Sequence, residues 1–161
     1  MTIVELMEHL KDFIEEQVRE YDTTQPAGKL PISVYAGFPP VPVTSKEKAS
    51  FIYNLVTEFT DEESEKLGYA QVDIGFSIYD ADMTEGSKSL FNLMEHIRQA
   101  LLKRRFIGNG RNKLILPLKG EIPEAQPFPQ WQGIIHATYT IGQPREEGLD
   151  FDSYQETKTP Y

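Results

Sequence analysis

Cysteine is absent from the 161 residues, which excludes a disulfide framework, a thiol nucleophile and a zinc–thiolate site. Histidine is scarce. His9, His96 and His136 are the three, and no two stand at the HxH or HxxxH spacing that metal ligands share. No apolar run approaches the ~20 residues of a membrane-spanning helix, and no signal-peptide pattern opens the chain, so a cytoplasmic protein with no membrane contact is expected. Bases are in deficit: 16 Lys+Arg stand against 25 Asp+Glu, a formal charge of −9. That balance argues against a protein that coats duplex DNA, whose affinity comes mostly from phosphate neutralisation. There is no GxSxG and no Ser-His-Asp pattern, and the glycines around Asn109 lack the Lys-Ser/Thr of a phosphate loop. Neither an enzyme nor a cofactor is expected. What is present suffices for a core, since 39% of residues are hydrophobic and 11% aromatic. A chain of this size buries roughly 70% of its unfolded surface, so one domain needs no staple.

Two helices are legible from their apolar stripes. Over residues 1–21, Ile3, Leu6, Met7, Leu10, Phe13, Ile14, Val18 and Tyr21 recur at three- and four-residue steps. Thr2 and Glu5 form a capping-box pattern, Lys11–Glu15 and Glu15–Arg19 are i,i+4 pairs, and Pro26 with Gly28 ends the helix. Over about 87–106, Leu90, Phe91, Leu93, Met94, Ile97, Leu101 and Leu102 give the second stripe, with Gly108 or Gly110 placed to stop it in a left-handed cap.

Between and after them the period changes to two. Residues 30–38, 49–59, 69–80, 113–118 and 131–142 read as strands, the first followed by Pro39, Pro40 and Pro42. Over 69–80, Val72, Ile74, Phe76 and Ile78 face one side, while Asp73, Gly75, Ser77 and Tyr79 face a wetter one. Over 131–142, Ile135, Ala137, Tyr139 and Ile141 alternate with His136, Thr138 and Thr140. The order α-β-β-β-α-β-β predicts an α+β domain over 1–144. Its sheet is mixed or mostly antiparallel, has about five strands, and carries both amphipathic helices on one face. Residues 145–161, with five acids, two bases and no period, read as an acidic flexible C-terminal tail.

The charge is unevenly placed. Between Arg98 and Lys119 lie seven bases and no acid, whereas residues 1–24 hold seven acids and two bases. Lys103, Arg104, Arg105, Arg111 and Lys113 are therefore candidates for docking onto the acidic patch of another copy or for sequence-blind phosphate contact. Equally, they complement the C-terminal end of the second helix. Phe38, Phe128 and Trp131 stand beside prolines that stiffen the backbone, an arrangement that presents an aromatic to a partner or closes the ends of the core. Asp80, Asp82 and Glu85 read as a turn and helix-start acids or as a cation cluster. Asp73 and His136 share the polar face and would meet if their strands pair. A metal-dependent hydrolase built on Asp73, Asp80, Asp82 and His136 is thus one alternative, and a small binding or adaptor module that uses the wet face of the sheet is another.

The segments YAQVDIGFSIYD, GSKSLFNLMEHIRQALLKRRF, KLILPL and PFPQWQGIIHATYTIGQP, with the preceding helix, give a pattern over 1–144 that resembles the tail-terminator or tail-completion proteins of long-tailed bacteriophages and prophages. The resemblance implies a structural virion protein that caps the tail tube as a ring, commonly hexameric, and joins it to the head-completion protein. Its implied partners are other copies of itself, the tube protein and the head-completion protein, with transient contact to passing DNA. Its implied location is the virion tail, reached from the host cytoplasm. A head–tail joining protein or another small tail component fits the same pattern.

Overall fold

The computed structural model describes residues 2–22, 31–44, 48–63, 66–144 and 146. Helix α1 (Ile3–Asp22) leads into β1 (Ile32–Ala36), a single-turn helix α2 (Val41–Thr44), and strands β2 (Ser50–Thr60) and β3 (Leu67–Tyr79). Helix α3 (Gly86–Lys103) follows, then β4 (Phe106–Ile107), β5 (Asn112–Glu121) and β6 (Gln130–Gly142). The fold is α+β, as expected. Six strands, one more than predicted, form a mixed sheet in the order β1-β2-β3-β6-β5-β4, curled into a half-barrel. Among the described strands, only β1 and β2 run parallel. Their thirteen-residue crossover, 37–49, accommodates the reversal that a parallel pair requires. The proposed end of the first helix at Pro26 and Gly28 lies outside the described residues, as does the 145–161 tail apart from Glu146.

Helix α1 starts where its sequence dictates. The Glu5 amide donates to Thr2 Oγ1 at 3.0 Å and the Thr2 amide to Glu5 Oε2 at 3.3 Å, a closed capping box. Its stripe Leu6, Leu10, Phe13, Ile14 and Val18 is buried against β1, β2 and α3. Leu90, Leu93, Met94, Ile97 and Leu101 of α3 are buried in turn, with α3 packed on β3 and β6. Under both helices lie Val72, Ile74, Phe76 and Ile78 of β3 and Ile135, Ala137, Tyr139 and Ile141 of β6. Burying each leucine, isoleucine or phenylalanine here is worth ~1.5–3 kcal/mol before chain entropy is set against it.

Three expectations change. Helix α3 ends at Lys103, short of Phe106, and the glycines do not cap it. Gly108, Asn109 and Gly110 take φ of 62°, 57° and 83° and turn the chain so that Phe106 and Ile107 pair with Lys113 and Asn112. Three successive left-handed residues are tolerated by this Gly-Asn-Gly and by few other triplets. Second, β5 runs past the expected 118 to Glu121, with a break in register between Ile115 and Lys119 around Pro117, which lacks an N–H for the ladder.

Third, the wetter face of the sheet is dry at one end. Gly75 and Ser77 are buried there, because the Tyr53 ring of β2 lies across Gly75. A Cβ at that position would come within 2.1 Å of Tyr53 Cζ. The 37–49 crossover brings Phe38, Pro39 and Thr44 against the same region.

Candidate interaction surfaces

The register separates the predicted site residues into two groups. Trp131 stands opposite Ile78 on β3, whereas the Lys113 amide bonds Thr140 Oγ1 at the level of Tyr69. Nine residue steps along β3 therefore divide the aromatic end from the basic end, about 30 Å at strand rise.

At the basic end α3 stops and β4 and β5 begin. Lys103, Arg104, Arg105, Arg111 and Lys113 are all exposed. Three of them have work within the chain. Arg104 reaches Glu16 of α1 at 3.3 Å and places its guanidinium 5.1 Å from the centre of the Phe13 ring. Arg105 Nε donates to the Leu102 carbonyl at 3.3 Å, and Lys113 lies 5.6 Å over Phe106. The acidic helix and the basic segment thus touch inside one molecule through Arg104. Beneath this end, buried Asn112 donates to the Thr140 carbonyl and accepts from His9 Nδ1, both at 2.9 Å.

At the other end Trp131 is half-buried and donates its indole N–H to the Asp80 carbonyl at 2.9 Å. It packs on the core and closes it. Phe128 meets it edge-on at 5.9 Å and stays 45% exposed. Phe38 is 85% exposed and Val41 76%. Between the crossover and the sheet runs a groove of about 430 Å³ lined by Phe38, Pro39, Tyr53, Leu55, Gln132 and Ile134 among others, with no charged residue among the described residues of its wall. A second, smaller hollow of about 250 Å³ lies between α3 and β5, where Phe91, Leu118 and Ile122 meet Arg98 and Lys119.

The polar middle of the open face carries the third feature. Asp73 and His136 are register partners, and Asp73 Oδ1 lies 2.6 Å from His136 Nδ1. Glu121 of β5, not anticipated from the sequence, comes within 3.0 Å of the other ring nitrogen. These carboxylates, Glu121 first and Asp73 second, hold the imidazolium and push the His136 pKa above its ordinary value, against a smaller opposing effect of burial.

The four residues of the hydrolase alternative do not converge. Asp80 accepts from the Asp82 amide and from Ser89 Oγ, and Asp82 accepts from the amides of Thr84 and Glu85, so both organise the turn into α3. Among the described residues, no group of three or more His, Asp or Glu is arranged to hold a metal ion. His96 bonds the Gln17 carbonyl at 3.0 Å and joins the helices. No helix of the described residues is long and apolar enough to cross a membrane.

No protein-family model matches the sequence, and no curated protein matches it. Solved structures do resemble it. A chain of the virion of a native gene transfer agent particle, 13% identical, aligns over 87% of this chain and 96% of its own at a TM-score of 0.40. A second solved chain, which carries no functional description, is 9% identical over 90% of this chain and 100% of its own, with a TM-score of 0.42. These values describe a likeness of layout, below the level from which a shared role follows.

Proposed function

We propose that this protein is a structural component of a phage-like particle, and that it caps the tail tube as a ring of identical copies and receives the head-completion protein. The observation that carries the reading is the division of its surface. Exposed bases lie at one end of the strands, Phe128 beside Trp131 lies at the other about 30 Å away by strand rise, and exposed Phe38 follows β1 at the Asn54–Ile74 rung between them. A closed ring of like subunits needs two unlike, complementary patches on each copy, and a cap needs separate contacts above and below. The segment similarity to tail terminators points the same way. In this arrangement Lys103, Arg105 and Arg111 face a neighbour or line the lumen, where contact with DNA is sequence-blind and weakens with salt. Phe38 and Phe128 dock on the adjoining tail or head protein.

Light scattering and electron microscopy of the purified chain, alone and with tail tubes, test this. Rings with a central hole, or particles seated on tube ends, are expected. Solitary molecules at high concentration and low salt, with tube ends left bare, would overturn it. The pair Lys103→Glu and Arg105→Glu leaves the Arg104–Glu16 contact in place. Lost rings would assign these bases to the subunit interface, and intact rings with lost infectivity would assign them to the lumen or to docking. Phe38→Ala is expected to fold normally and to weaken docking.

A second reading, a binding module that uses the open face, is favoured by the groove beneath Phe38, whose described lining residues carry no charge. Capture of an uncharged peptide by monomers, without rings, would select it.

A further inference from the structure

Asp73, His136 and Glu121 belong to three adjacent strands, β3, β6 and β5, and the imidazole stands between the two carboxylates. A neutral imidazole has one N–H and one bare nitrogen, so it donates to one carboxylate and turns a lone pair toward the other. Only the imidazolium, with two N–H groups, satisfies both. The arrangement is thus a two-state element set by one proton.

The neighbouring charges sharpen this. Lys119 of β5 is the register partner of His136, and its side chain belongs to the same face by the pleat. Tyr53 of β2 is close enough for the Asp73 charge, added to its own burial, to push its phenol upward. On this face, then, Asp73 and Glu121 are balanced by Lys119 and protonated His136, and loss of the proton leaves one negative charge in excess.

The two carboxylates differ in what holds them. The Asp73 side chain is the more covered, 29% against 69% exposed for Glu121, and its contact is the shorter. Neutral His136 therefore keeps Asp73 and releases Glu121. Downstream of Glu121, the chain forms a wall of each groove: Pro123 borders the larger one and Ile122 the smaller. The far half of this connection is pinned separately, because Gln126 bonds the Pro123 carbonyl and both backbone groups of Gln132. What the proton controls is accordingly the short stretch 119–122 at the end of β5.

We propose that His136 is a proton-operated clasp, which fastens the end of β5 to β3 across β6 when charged and frees the 119–122 stretch, with the wall of the smaller groove that it carries, when neutral. The inference stands on the geometry of the open face and does not depend on ring formation.

The test is nuclear magnetic resonance of the full chain across the histidine range, for the wild type and for Glu121→Gln, an exposed substitution that keeps the shape. In the wild type the His136 ring is expected to titrate above the ordinary histidine value, and in Glu121→Gln its midpoint is expected to move down. Amide protection over Lys119–Glu121, corrected for intrinsic exchange, is expected to fall roughly two- to fivefold as the wild-type ring deprotonates, the size set by one exposed ion pair. Rungs at Ala70–Tyr139 stay unchanged. Asp73→Asn serves as a second variant, and it too lowers the midpoint. An ordinary midpoint in wild type, unchanged by Glu121→Gln, overturns the proposal. So does a shifted midpoint with protection at 119–121 equal on both sides of it.

Discussion

Replacing Asn112 by alanine tests the polar joint under the basic end. Asn112 is fully buried, and its carboxamide binds the Thr140 carbonyl of β6 on one side and His9 of α1 on the other. It is where β5, β6 and the first helix are tied together. Truncation removes two hydrogen bonds at ~1 kcal/mol each, leaves a buried acceptor with a desolvation penalty of ~1–3 kcal/mol that partly overlaps the first loss, and opens a small void. The net expectation is a loss of about 3 kcal/mol. For a chain of this length that lowers the melting temperature by roughly 6–12 °C, at ~2–4 °C per kcal/mol. Urea and thermal unfolding followed by circular dichroism supply the number. His9→Ala supplies a cycle: if the joint acts as a unit, the double variant costs about 1 kcal/mol less than the sum of the two single ones. A loss under ~1 kcal/mol for Asn112→Ala, or strict additivity with His9→Ala, would refute the reasoning, since each falls outside what a buried polar joint implies.

Three further outcomes follow from the same physics. Tyr139 is fully buried and its hydroxyl has no partner among the described residues, so burial pushes its pKa upward. Tyr139→Phe is expected to be neutral or to stabilise by about 1 kcal/mol, and a clear loss in urea unfolding would mean that the hydroxyl is satisfied. Gly75→Ala drives a methyl into the Tyr53 ring and is expected to cost roughly 1–3 kcal/mol, a cost that Tyr53→Ala in the same chain relieves in part. Because His136 is raised in the fold, its contribution is complete below the unfolded value of about 6.5 and disappears as pH climbs through the folded value. Stability measured from mildly acidic to mildly alkaline pH should therefore fall across that window in wild type and less so in Glu121→Gln.

Local periodicity carried much of this architecture. The alternation in β3 and β6 placed Asp73 and His136 on one face, and their pairing in register brought them into contact. The stripes of α1 and α3 named nearly every buried helix residue, and Thr2 with Glu5 named the first cap. What escaped depends on distant parts of the chain. Gly75 and Ser77 alternate as wet positions, and only the arrival of Tyr53 and the 37–49 crossover dries them. Phe106 continues the apolar spacing of α3 from Leu102, yet the left-handed turn at 108–110 pulls it into a hairpin and ends the helix early. Glu121 stood outside the expected strand, and it reaches His136 because β5 resumes its ladder beyond Pro117.

The outermost strand pair has a consequence for how this protein survives at high concentration. β4 pairs with β5 at Asn112 and Lys113 and the Leu114 amide bonds the Arg105 carbonyl, and beyond these no strand among the described residues covers the flank of β5 along the rim of the half-barrel. Naked flanks of this kind ordinarily seed fibrils by recruiting strands from passing molecules. Here the flank is interrupted midway by an imino acid that cannot donate and carries an ammonium group on either side of the interruption, at Lys113 and Lys119. Cross-seeding would have to span the break and bring like charges face to face, which opposes uncontrolled strand pairing between crowded copies.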